Sequence, residues 1–150
     1  MSKIVLLDSG PLGMVTNPKA TPISLECQLW FDSLEPRGYE VTIPEIADYE
    51  VRRELIRARK LAGIRKLDGL KATTPYLPIT TEAMLKAAEL WARARQQGTP
   101  TADPKEIDGD VILAAQATVL TETEGNEVIV ATTNVGHLSL FVDAREWRLI

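Results

Sequence analysis

The chain has 150 residues, 45% of them apolar and 25% charged, with a formal net charge of -4. This is ordinary composition for one globular domain with a real core, and it excludes a largely disordered chain and a strongly basic nucleic-acid binder, though not a local basic face. A single cysteine, Cys27, and a single histidine, His137, exclude an internal disulfide framework, a multi-Cys zinc site and a His-cluster metal site, so any metal must be held by oxygen, which favours Mg²⁺ or Mn²⁺.

Lys3 to Asp8 (KIVLLD) is a short continuous apolar run closed by an acid. It reads as a strand buried on both faces, as in a parallel sheet. It is too short for a signal-peptide core, and no run of 18 apolar residues follows, so the chain reads as cytoplasmic and not membrane-spanning. Ser9 to Gly13 (SGPLG) predicts a loop, and Asn17 to Pro22 another. Ser24 is placed to cap a helix through Leu25, Leu29, Trp30 and Leu34, ended by Pro36-Arg37-Gly38. Cys27 on that helix reads as core.

Tyr39 to Ile43 predicts a second strand. Pro44 suits the first turn of the following helix, which carries Ile46, Val51, Leu55 and Ile56. A further helix is expected from Gly63 to Leu70, and at most a short third strand between Thr73 and Ile79. Thr80 or Thr81 opens a long helix to about Arg95, with Gly98 after its end and a loop from Gly98 to Pro104. Asp110 opens an Ala-rich helix to about Thr121, and Glu122 to Asn126 is a turn. Val128 to Thr132 is a second continuous apolar strand, and Trp147 to Ile150 a terminal one. Alternating strands and helices make the class α/β with a mainly parallel sheet.

In such sheets ligands sit beyond the C-terminal ends of the strands. Asp8 closes the first strand and Asn134 follows the late one. Asp110 starts a helix, and Glu50 lies one to two turns inside another. The four are expected at one edge. Clustered carboxylates repel by roughly 4 kcal/mol per pair at an effective dielectric near 20. A divalent cation removes that penalty and can activate water against a phosphodiester. Each residue also has a plainer explanation. Asp8 suits an Asx turn, Glu50 a solvated helix face, Asp110 a helix dipole and Asn134 a turn. Asp108 is as good a cap as a ligand, and His137 reads as a surface residue. Glu45, Asp48 and Glu54 compete with Glu50.

A basic stretch runs from Val51 to Lys71 with a net charge of +6, including Arg52, Arg53 and Arg57. It suits a phosphate-binding flank, a solvated face or a surface for an acidic partner. Other phosphate chemistries fit poorly. Gly10 stands where a haloacid-dehalogenase-like site needs a second Asp, the late strand lacks the lysine of a receiver domain, and no GxxxxGK[ST] motif exists.

Four segments together resemble the PIN-domain nucleases, which include the VapC-type toxins of bacterial toxin–antitoxin pairs. IVLLDSGPL (Ile4 to Leu12) resembles the opening strand and its acidic ligand. IPEIADYEVRREL (Ile43 to Leu55) resembles the second motif, with Glu50 in the acidic role. DVILAAQA (Asp110 to Ala117) resembles the third, and IVATTNVGHL (Ile129 to Leu138) the fourth. They come in family order and span nearly the whole chain. The resemblance implies a single PIN-like domain over residues 1–150, a three-layer α/β/α sandwich around a mainly parallel sheet. It implies Mg²⁺- or Mn²⁺-dependent endonucleolytic cleavage of RNA, with Asp8, Glu50 and Asp110 holding the ion, Asn134 completing the catalytic set, and Asp108 and Ser9 in support. Arg52, Arg53 and Arg57 would contact RNA. A homodimer, using Trp30 or Trp91, and an antitoxin partner are also implied. The fourth position is Asn134 rather than Asp, which weakens or removes a second metal position. The competing expectation is a PIN-fold module that binds RNA or an antitoxin-like partner without turnover.

Overall fold

The computed structural model describes residues 2–97 and 104–150, without the side chains of 104–107 and 124. Five strands form one parallel sheet: β1 (Lys3–Leu7), β2 (Glu40–Pro44), β3 (Tyr76–Leu77), β4 (Glu127–Thr132) and β5 (Ala144–Glu146), in the order β3-β2-β1-β4-β5. Among the described residues six helices accompany them: α1 (Ser9–Val15), α2 (Pro22–Leu34), α3 (Glu45–Arg57), α4 (Leu61–Thr73), α5 (Thr81–Gln96) and α6 (Pro104–Glu124). Among the described residues no helix is long and apolar enough to cross a membrane.

The alternation within β1 builds the three layers. Ile4 and Leu6 pack with α5, α6 and Val130 on one face. Val5 and Leu7 pack with Leu12, Cys27, Trp30, Leu34 and Leu67 on the other. Strand side chains alternate between faces, so a continuous apolar run is what a doubly covered strand requires. Each fully buried Leu contributes about 2 kcal/mol of transfer free energy. Helix α3 serves both layers: Ile46 belongs to the first core, Ala47 and Val51 to the second. That straddling position carries α3 over the end of the sheet.

The structure corrects several expectations. Ser9 to Gly13 is helical, not a loop, because the Asp8 side chain accepts from the Ser9 backbone N–H and caps α1. Helix α2 starts a turn earlier than expected, with Thr21 as its cap and Ser24 as the reciprocal member of a capping box. Helix α6 starts at Pro104, so Asp110 lies inside it rather than at its opening; proline is well tolerated in a first helical turn. The helix also runs on to Glu124, and the turn is confined to Gly125, with φ +64°, and Asn126. The last strand is Ala144–Glu146, and Trp147–Leu149 is a 3-10 turn that drives Trp147 into the core against Trp30, ring centroids 5.6 Å apart. Trp30 is therefore buried and offers no dimer surface, whereas Trp91 is partly exposed. The expected loop over 98–103 lies outside the described residues.

Candidate active site

The strand order reverses at β1. The chain leaves it for β2 on one side and returns to β4 on the other, which opens a crevice beyond the ends of β1 and β4. Asp8 and Thr132 meet there. The Asp8 N–H donates to the Ala131 carbonyl at 2.9 Å, extending the ladder by one residue. The Thr132 hydroxyl donates to Asp8 Oδ2 at 2.8 Å, and the Ser9 N–H donates to Asp8 Oδ1 at 2.7 Å. Each oxygen is thereby fixed, and a carboxylate's roughly four acceptor positions leave capacity for a further ligand.

Glu50 reaches the same neighbourhood from α3. Its side chain is 24% exposed. Burial, reinforced by the charges of Asp8 and Asp110 and opposed by Arg53, pushes its carboxyl up to about 7. Acids from the end of β1 and from α6 thus act on Glu50 of α3, as like charges do on a partly desolvated carboxyl. The backbone of α6 passes close to Glu50 at Gly109: a Cβ there would lie 2.8 Å from Glu50 Oε2. Asp110 follows directly and is half-buried.

Two clefts adjoin Glu50. One, of about 440 Å³, is lined by Ser9, Asn17, Glu50, Arg53 and Lys60 among others. The second, of about 640 Å³, has Ile46, Tyr49, Ile79, Met84 and Ile112 beside Glu50, Arg53 and Asp108. A further cavity, of about 910 Å³, lies at the opposite edge of the sheet, around Lys3, Tyr39 and Glu40, and contains none of these acids.

The remaining sequence candidates separate. Asn134 donates its N–H to the Thr132 hydroxyl at 3.1 Å, and its Oδ1 accepts from the Gly136 N–H at 3.0 Å. It stands beside the Thr132–Asp8 pair with its side-chain oxygen committed to a turn. Asp108 is exposed on the wall of the larger cleft. Arg52 is held elsewhere, donating to Asp48 at 2.9 Å and to Asp68 at 2.7 Å. Arg57 pairs with Glu54 at 2.7 Å. Arg53 alone of the three lines both clefts, 4.0 Å from Glu50 and 5.1 Å from the Tyr49 ring centre.

Sequence reasoning missed three contributors. Thr132 orients Asp8, and a hydroxyl ending an apolar strand was the available signal. Gly109 leaves room for Glu50, signalled only by a glycine within a helix. Asp48 is buried and anchors α3 through Arg52, the Tyr76 hydroxyl at 3.1 Å and Lys71 at 3.6 Å. Its burial rules it out as the competitor to Glu50 that its spacing suggested.

The donors around Glu50 are all oxygen, and the mutual repulsion of their charges is what a divalent cation relieves, so the residues fit such an ion in chemistry. Among the described residues no group of three His, Cys, Asp or Glu is already drawn together to hold a metal.

No protein-family model matches the chain, and no curated protein matches it. Solved structures do. A chain of VapBC2 from Rickettsia felis, bound to a DNA fragment from its promoter, superposes with a TM-score of 0.70 at 15% identity, over 96% of this chain and 98% of that one. A chain of DNA-bound VapBC from Salmonella typhimurium gives 0.62 at 20% identity, over 98% and 99%. One of VapBC-1 from nontypeable Haemophilus influenzae gives 0.65 at 15% identity, over 97% and 98%. At these identities the likeness is one of fold, and it extends over the whole architecture: the chain has a PIN-like fold.

Proposed function

We propose that the protein is a metal-dependent endoribonuclease, with Asp8, Glu50 and Asp110 holding Mg²⁺ or Mn²⁺. The observation that carries this reading is geometric: the Asp8 carboxylate is fixed at the end of β1 by Thr132 and the Ser9 N–H, and Glu50 reaches the same neighbourhood against the backbone of α6 at Gly109, where burial and the charges of Asp8 and Asp110 oppose its ionisation. A protein that brings Asp8 and Asp110 near enough to Glu50 to act on its charge gains little stability from doing so. It gains a site for a hard cation.

A bound divalent ion would supply charge neutralisation at a phosphoryl oxygen and lower the pKa of water. The chain's own residues do the rest. Thr132 and the Ser9 N–H fix the Asp8 carboxylate. The close passage of Gly109 sets where Glu50 can lie. Asn134 steadies the Thr132 hydroxyl through its N–H and completes the rim. Arg53 brings a positive charge to both clefts, and a phosphate of the substrate would sit beside it in the smaller one.

The three structural neighbours are VapBC assemblies. By that likeness we propose a toxin role with an antitoxin partner, and a homodimer. Asp8→Asn, which keeps the cap and the Thr132 contact in shape but removes the charge, tests the catalytic assignment. It should lower metal-dependent RNA cleavage at least 100-fold with the thermal transition retained. Undiminished cleavage by that variant would refute the assignment.

A further inference from the structure

The two clefts that meet at Glu50 differ in chemistry. The smaller sets the cations Arg53 and Lys60, the Ser9 and Thr16 hydroxyls and Asn17 beside Glu50 and Glu54, of which Glu54 is paired with Arg57. The larger is walled by Ile46, Tyr49, Ile79, Met84 and Ile112, and among its described lining residues Arg53 is the one cation. Tyr49 is 53% exposed and Met84 47% exposed, so the described residues leave this apolar surface uncovered. Glu45, Glu50 and Asp108 at its edges disfavour a phosphate. A flat, uncharged, weakly polar group suits it.

A nucleotide joins both requirements in one unit, an anionic phosphate and a flat base. Arg53 is common to the two clefts and lies over the Tyr49 ring. A cation on one face of an aromatic ring leaves the other free to stack. Resting on the nuclease reading above, we propose that the larger cleft is a nucleobase subsite. In it Tyr49 stacks an unpaired base of the substrate strand while the adjoining phosphate follows Arg53 and Lys60 through the smaller cleft. The carboxylates at the rim accept hydrogen bonds, so they favour base edges that present amino or imino donors.

The test uses five fluorescein-labelled octaribonucleotides, the four homopolymers and an abasic ribose-phosphate octamer, with anisotropy read on wild type, Tyr49→Ala, Tyr49→Phe and Met84→Ser. Stacking of this kind is lost with about a five- to 150-fold drop in affinity. Tyr49→Ala should show that drop for at least one homopolymer and none for the abasic strand. Tyr49→Phe should stay within about two-fold of wild type, since stacking needs the ring and not the hydroxyl. Met84→Ser, on another element of the same wall, should fall in between. Equal losses on abasic and base-bearing strands, or none on either, would overturn the subsite. So would a Tyr49→Ala effect confined to binding of a partner peptide. Metal-dependent cleavage of an RNA pool by wild type is scored in parallel. Its absence would overturn the nuclease reading, whereas cleavage with Tyr49-independent binding would overturn the subsite alone.

Discussion

The Thr132 hydroxyl donates to Asp8 Oδ2 at 2.8 Å, joining the ends of the two strands between which the sheet reverses its order. One hydrogen bond thereby fixes a carboxylate to the neighbouring strand's end. The same hydroxyl accepts from the Asn134 N–H, so strand β4, the loop after it and Asp8 move as a unit.

Thr132→Val removes this bond at nearly constant volume. A hydrogen bond to a charged acceptor contributes about 1.5–3 kcal/mol, and Asp8 keeps its Ser9 bond. We expect a loss of about 1–2 kcal/mol in urea unfolding and a weakened affinity for Mn²⁺. Thr132→Ser should restore both. Equal behaviour of the Val and Ser variants would show that the hydroxyl does not orient Asp8.

Gly109→Ala separates activity from stability. Alanine is the better helix former by about 0.5–1 kcal/mol. Its Cβ would meet Glu50 Oε2, the movable end of a side chain. The variant should unfold at or above the wild-type denaturant midpoint yet lose at least ten-fold in metal-dependent cleavage. Full activity would mean that the position of Glu50 is not critical.

Arg52 and Arg53 are neighbours with opposite expected phenotypes. Arg52→Ala strips a partner from Asp48, whose side chain is only 6% exposed, and should cost about 2 kcal/mol of stability. RNA affinity should change little. Arg53→Ala touches Glu50 and Tyr49 on the cleft walls and should raise KM several-fold with less than about 0.5 kcal/mol lost, as for other exposed positions. Chemical denaturation beside cleavage kinetics decides it, and a reversed pattern would contradict the placement of the two side chains.

The raised Glu50 carboxyl predicts a pH dependence of stability. Its folded value of about 7 lies above the ordinary 4.5, so the folded state holds the proton more tightly than the unfolded chain. That stabilisation is fully present below about pH 4.5 and is lost as pH rises through 7. The upper bound is about 3 kcal/mol, lowered by the partial exposure of the group. In EDTA, Glu50→Gln should unfold at higher temperature than wild type at pH 8, and the gap should close at pH 5. A pH-independent gap would show that ionisation of Glu50 is not the cause.

Much of this was legible in the chain. KIVLLD and EVIVAT are apolar without a break because both faces of β1 and β4 are covered, and that alone points to a parallel sheet. The placement of Asp8 followed from the strand it ends. What escaped was set by capping and by tertiary contacts. Asp8 turns an apparent Gly-Pro loop into α1, and Pro104 moves the start of α6 six residues ahead of Asp110. Arg52 looked like a phosphate ligand because charge runs do not reveal partners; Asp68 and Asp48 claim it only after α4 folds onto α3. Tyr49 carried no signal at all, since an exposed aromatic on a helix gains meaning only from the cleft beside it.

The most direct test of the central claim is calorimetric titration of Mn²⁺ into wild type and the Asp8→Asn/Asp110→Asn double variant, both shown folded by circular dichroism. The account predicts saturable binding by wild type, with proton release near pH 7 as Glu50 ionises, and no measurable binding by the variant. Absent binding in wild type, or equal binding in both proteins, would contradict it.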